Sequence, residues 1–146
     1  MKKIFFLMLI VNIIAGCNGI SSLNNTYNQA QGKVIVDNKS YTMMIGNYEW
    51  KEDDFEAKKI SNSDINDLAG GFDTLEVKKG NKLKIEIEQN PSSIIVNQLN
   101  ADGTSDAIEL KDNEITLPSD GGTYIYEVIA RWKEGKISYI FDVNIK

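Results

Sequence analysis

Through the second half of the chain, apolar and polar residues alternate with the two-residue period of strands that bury one face. Lys82-Leu83-Lys84-Ile85-Glu86-Ile87-Glu88 sets Leu83, Ile85 and Ile87 against charged neighbours, and Leu75-Glu76-Val77-Lys78 does the same before a turn at Lys79-Gly80-Asn81. Pro91-Ser92 interrupts the pattern, which resumes at 94–99; two short strands are expected at 108–111 and 114–117 around Asp112-Asn113. The strongest pair lies at the end. From Thr123 to Trp132, Tyr124, Tyr126, Val128, Ala130 and Trp132 share one side while Ile125, Glu127, Ile129 and Arg131 share the other. After Lys133-Glu134-Gly135, residues Ile137, Tyr139, Phe141, Val143 and Ile145 alternate against Ser138, Asp142 and Asn144, so a hairpin with an aromatic face is expected at the centre of the core.

The first half is less regular. Residues 32–36 predict a strand, Asp37-Asn38-Lys39 a turn, 41–45 a second strand, and Tyr48-Glu49-Trp50-Lys51 a segment with both rings on one face. Acids precede bases in Asp53-Asp54-Phe55-Glu56-Ala57-Lys58-Lys59, which reads as a helical turn. Asp64 to Leu68 reads as loop or one turn, ending at Gly70-Gly71. Many short strands without a long amphipathic helix predict an all-β, two-sheet β-sandwich over residues 33–146.

The opening residues follow another pattern. Met1-Lys2-Lys3 precedes an apolar run from Ile4 to Ile14, broken only by Asn12, and then the small residues Ala15 and Gly16. This is the layout of an export signal. As a helix the run would reach about 16 Å, roughly half the hydrocarbon thickness of a bilayer. Ile14-Ala15-Gly16-Cys17 resembles the processing site of bacterial lipoproteins, with isoleucine where leucine is usual. The resemblance implies that Cys17, the single cysteine, carries a diacylglyceryl group and becomes the first residue after removal of 1–16. The polar stretch up to residue 32 then reads as a flexible tether.

Composition narrows the chemistry. Without Lys2 and Lys3, 14 of the 16 basic residues remain against 21 acidic ones, a charge of −7 that argues against nucleic acid as a partner. With no histidine and the one thiol capped, cysteine–histidine nucleophiles and histidine or thiolate zinc sites are not available. Carboxylates remain: Glu49 with Asp53 or Asp54 is the candidate acid–base pair of a hydrolase, against the simpler reading of a solvated charged face. Asn100, Asp102, Thr104 and Asp106 offer oxygens at every second position, like the start of a calcium loop. The sixth-position glycine is missing and Glu109 comes too early to close such a loop, so calcium binding stays open beside an acidic surface loop.

Asp120-Gly121-Gly122-Thr123-Tyr124-Ile125-Tyr126 resembles the immunoglobulin pattern in which Asp, Gly and Tyr precede a cysteine-bearing strand, with Tyr126 at the cysteine position. The resemblance implies an immunoglobulin-like sandwich and a tyrosine corner at Tyr124, its hydroxyl bonded to an upstream carbonyl, with Ile85 or Ile87, Tyr126 and a tryptophan filling the inter-sheet junction. More broadly, the Tyr48–Trp50 segment and the final hairpin resemble the small extracellular sandwiches of uncharacterised lipoproteins from Gram-positive spore formers. Together these readings predict a noncatalytic, cofactor-free module held on the extracytoplasmic face of the cell membrane through Cys17. The loops at Asn100, Asp102, Thr104, Asp106, Gly121 and Gly122 are its expected contacts with a protein, peptide or envelope component. A protease inhibitor or structural surface protein is the first alternative, and the carboxylate hydrolase the second.

Overall fold

The computed structural model describes residues 29–60 and 64–146. Its strands are β1 (Gly32–Val36), β2 (Lys39–Thr42), β3 (Met44–Glu52), β4 (Phe55–Lys59), β5 (Leu75–Val77), β6 (Lys82–Ile87), β7 (Ser93–Leu99), β8 (Ser105–Ile108), β9 (Glu114–Thr116), β10 (Gly122–Arg131) and β11 (Gly135–Ile145), with a short helix α1 (Ile65–Ala69) between β4 and β5. They form two sheets, ordered β2-β1-β6-β9 and β4-β3-β11-β10-β7-β8, with β5 running parallel to β11 at Val143–Ile145. Neither closes into a barrel, and the whole is an all-β sandwich.

Alternation decides which side chains enter the space between the sheets. Val34, Leu83, Ile85 and Ile115 from the smaller sheet meet Val96, Tyr126, Val128, Ile137, Phe141 and Val143 from the larger, all with no exposed surface. Removing side chains of this size from water contributes about 1.5–3 kcal/mol each. Tyr126 stacks on Phe141 with centroids 5.1 Å apart. A tryptophan belongs to this core as well: Trp50 is buried in it and packs edge to face with Trp132, 5.4 Å apart, beside the β10–β11 turn, where Trp50 lies opposite Gly135. Gly135 is required there because a Cβ would overlap the carbonyl of Glu49 on the adjoining strand.

The turns use Asx residues in left-handed backbone. Asp37-Asn38 (φ 50° and 60°) and Asp112-Asn113 (φ 54° and 59°) each place two consecutive residues at positive φ, the geometry that closes a tight hairpin without splaying its strands.

Four expectations are corrected. The acid-then-base run at 53–59 is a strand hairpin, not a helical turn: Glu52 pairs with Phe55, and β4 continues to Lys59 with Phe55 and Ala57 turned inward. The strand expected at 108–111 is β8, earlier at 105–108, because Ile108 pairs with Val96 and the chain then crosses to the smaller sheet. The folded unit also begins before residue 33. Ala30 is buried, Gln31 and Glu88 exchange hydrogen bonds, and Gly32 opens β1, so the expected tether cannot extend to residue 32. Lastly, β11 does not alternate between core and solvent, since Ser138, Ile140 and Asp142 on its second face are buried as well. The α1 segment packs on β3 and β11, and Thr74 Oγ1 donates to Asp142 Oδ2 at 2.7 Å.

Tyr139 on β11 ties the entering chain to the core, its hydroxyl donating to the buried carbonyl of Ala30 at 2.6 Å. Tyr139→Phe leaves that carbonyl without its donor and is expected to lower stability by about 1–3 kcal/mol. A denaturant midpoint equal to that of the parent would show that the contact contributes nothing.

Candidate functional site

The ends of the sandwich are defined by register. Ser92 N–H donates to Arg131 at 2.7 Å and Trp132 Nε1–H to Gln89 at 2.9 Å, so the β6–β7 and β10–β11 turns share one end. The chain enters at this end, through Gln31 beside Glu88. Leu99 pairs with Ile125 and Gly122 with Ile145, so the β7–β8 loop and the approach to β10 lie at the other end. The predicted residues Asn100, Asp102, Thr104, Asp106, Gly121 and Gly122 are therefore brought to one end of the fold.

The β7–β8 loop is satisfied from within. Asn100 Nδ2–H donates to Thr104 Oγ1 (3.0 Å) and Asp106 Oδ2 (2.9 Å), and Asp102 Oδ1 accepts from both the backbone N–H (2.9 Å) and the hydroxyl (2.6 Å) of Thr104. Gly103, at φ 84°, supplies the left-handed residue that lets Asn100 N–H reach the carbonyl of Thr104 at 2.8 Å. The Thr104 hydroxyl, then its backbone N–H, hold the Asp102 carboxyl below the usual range. The oxygens that looked like cation ligands thus bond one another's donors. Among the described residues no group of three or more acidic or cysteine side chains is placed to hold a metal ion.

At the same end Tyr124 donates its hydroxyl to the carbonyl of Asp120 at 3.1 Å, spanning the Gly121-Gly122 approach. Gly122 sits at φ 140° and Gly121 lies close to the carbonyl of Ile145, so both glycines serve the backbone path into β10.

The candidate carboxylates of a hydrolase are arranged differently. Glu49 lies between Lys58, at 2.9 Å, and Lys136, at 3.6 Å, on its two neighbouring strands. The hydrogen bond and charge of Lys58, followed by the charge of Lys136, lower its pKa, whereas a general acid needs the opposite shift. A shallow depression of about 310 Å³ beside it is lined by Glu49, Trp50, Lys51, Lys58, Glu134 and Gly135 among others. Asp53 and Asp54 form the β3–β4 hairpin tip outside that lining.

A feature that loop-centred reasoning passes over is the outward face of β7 and β10. Ile95 is 40% exposed and pairs with Ile129, while Glu127 pairs with Asn97 and Arg131 with Ser93. Glu127 is half-buried between isoleucines, and this desolvation raises its pKa despite a hydrogen bond from Asn97. The sequence signal was the set of isoleucines on the side of β10 opposite the aromatic residues.

Cys17 lies outside the described residues. Among those described, no helix is long and apolar enough to cross a membrane. No family model matches the chain, and no curated protein does. Among solved structures it is similar to "Bacillus amyloliquefaciens CBM33 in complex with Cu(I) after photoreduction", at 14% identity and a TM-score of 0.38. The match covers 51% of this chain and 56% of that one, so it spans little more than half the length of the solved protein.

The raised pKa of Glu127 sets the sign of a pH effect. A carboxyl that holds its proton more tightly when folded favours the folded state at low pH, and that stability is lost as pH rises from the ordinary value of 4.5 through the raised one. Glu127→Gln removes this slope: the variant gains stability relative to the parent as pH rises through that window, and loses the advantage below it. Parallel pH profiles of the two unfolding midpoints would contradict the assignment.

Proposed function

We propose that this chain is a noncatalytic lipoprotein, held through Cys17 at the extracytoplasmic face of the membrane, whose immunoglobulin-like sandwich presents binding loops to a protein, peptide or envelope component. The observation that carries the functional part is the separation of the two ends. The chain enters beside Glu88, and the β7–β8 loop and Gly121-Gly122 lie at the far end of the strands. With an anchor before the entry point, these loops face away from the membrane.

The immunoglobulin-like reading is supported by order and by one hydrogen bond. Strands β1, β6 and β9 lie in that order in one sheet and β11, β10, β7 and β8 in the other, with β5 parallel to β11 on the edge opposite β10. The Tyr124 bond to the Asp120 carbonyl has the tyrosine-corner spacing. The loop's internal hydrogen bonds support recognition by shape, because a partner meets a preformed surface and little ordering entropy is spent on binding.

The anchor is tested on intact cells. Metabolic labelling with a fatty-acid analogue should mark the parent chain and leave Cys17→Ala unmarked, and intact mass should show loss of residues 1–16 with a diacylglyceryl addition. A mature chain that retains those residues, or begins elsewhere with a free thiol, rules the anchor out. For the loops, Asn100→Ala combined with Asp102→Ala should abolish capture of an envelope component that the parent retains, and equal capture would place recognition elsewhere.

A further inference from the structure

The outward side chains of β10 read Ile125, Glu127, Ile129, Arg131, and those alongside on β7 read Leu99, Asn97, Ile95, Ser93. Ile129 and Ile95 are register partners, with Glu127 and Asn97 on one side of them and Arg131 and Ser93 on the other. On one flank α1 and its following segment cover β11, burying Ser138 and Ile140. On the other, β8 carries only Ser105 and Ala107 outward, beside Leu99 and Asn97. Among the described residues the uncovered part of the face is therefore apolar along the Ile95–Ile129 row, with Glu127 on one side of that row and Arg131 on the other.

We propose that this face receives a second copy of the chain, about a two-fold axis that crosses the strands along the Ile95–Ile129 row. Such an axis reverses strand direction while keeping β10 over β10 and β7 over β7. Ile129 then meets Ile129 and Ile95 meets Ile95, and Glu127, one strand repeat of about 6.8 Å from the axis, meets Arg131 of the second copy. Asn97 meets Ser93 in the same way. The alternative two-fold, running along the strands, sets Glu127 on Glu127 and Arg131 on Arg131 when it lies on β10, and Glu127 on Asn97 and Arg131 on Ser93 when it lies between β10 and β7. Only the reversed arrangement brings the two opposite charges together, so the charges select it.

Neither charged group has an ion-pair partner within its own chain among the described residues, in contrast to Glu49 and Glu76. Glu127 is already partly desolvated by its apolar neighbours, which is the setting in which an incoming guanidinium gains most. The patch is small beside the roughly 800 Å² per partner of a stable interface, so the association is weak and concentration-dependent. The pairing does not require the lipid anchor. Its reversal sends the two chain entries to opposite ends of the pair, so copies anchored as proposed above pair across two facing membranes, each with its loops directed away from its own.

Sedimentation equilibrium of the full-length chain in density-matched neutral detergent tests this. The expected result is a mass rising toward two chains with loading. Glu127→Arg or Arg131→Glu alone should weaken association by at least about tenfold, and the two combined should restore it, since the charges are exchanged and not removed. Ile129→Asp should abolish it, with circular dichroism confirming that each variant is folded. A one-chain mass at every loading overturns the proposal and leaves the face to a different protein. Association unchanged by either single reversal, or not restored in the double variant, also overturns it and assigns self-association to another segment such as the apolar run 4–14.

Discussion

Strand β11 is paired along both edges and buried on both faces, and the rest of the molecule is arranged to meet that demand. One edge is taken by β10 over the whole length of the strand, and the other is divided between β3 at Gly135–Ile140 and β5 at Val143–Ile145. The β3 pairing carries an irregularity of its own. Gly46 and Asn47 oppose the single residue Ser138, a bulge in which the Ser138 hydroxyl accepts the Asn47 N–H at 2.8 Å. Gly46 leaves room for that hydroxyl, which a Cβ would approach to 2.7 Å. Backbone groups freed by the irregularity are thus satisfied by a side chain, as burial demands.

Cover on the second face follows from the same demand. Asp142 is a buried carboxylate, and Thr74 reaches it from the segment between α1 and β5. That bond fixes where the chain leaves α1 and where β5 begins. Phe72, two residues earlier, belongs to the inter-sheet core, set against Phe141 at 6.4 Å. A five-residue helix is too short to be stable alone, so α1 exists because its layer closes over β3 and β11, with Asp64 accepting the Asn66 N–H at its start. Among the described residues, the cover that α1 gives lies over β3 and β11. The open β7–β10 face is consequently a boundary effect of α1 being short.

This explains which parts of the fold were legible in sequence. The faces of β6 and β10 were readable because each has one buried side, which imposes a period of two. The corner at Tyr124 was readable because the spacing from Asp120 carries a definite hydrogen bond. The second face of β11 was not, because its burial comes from residues some seventy positions earlier, and Ser138 and Asp142 look solvent-facing to any local rule. β4 was misread because Glu56, Lys58 and Lys59 satisfy an acid-then-base helical pattern as well as a strand edge. In the candidate loop the oxygens of Asn100, Asp102, Thr104 and Asp106 were legible as donors and acceptors. That they would be spent on each other depends on Gly103 taking a left-handed conformation, which spacing alone does not reveal.

The sheet edges bear on how such a molecule meets a partner. An exposed edge invites another strand unless charge or brevity blunts it. Here β4 ends in Lys58 and Lys59, with Lys58 held to Glu49; β2 and β8 have four residues each; and β9, with three, carries Glu114 paired with Lys82 at 3.5 Å. Strand addition at any of these positions must displace an ion pair or use a short template. Ile95 and Ile129 are not guarded in this way, since the charges beside them flank the apolar row without covering it. A contact through this sheet face therefore has less to displace than one through an edge, and it leaves the loops at the strand ends uncovered.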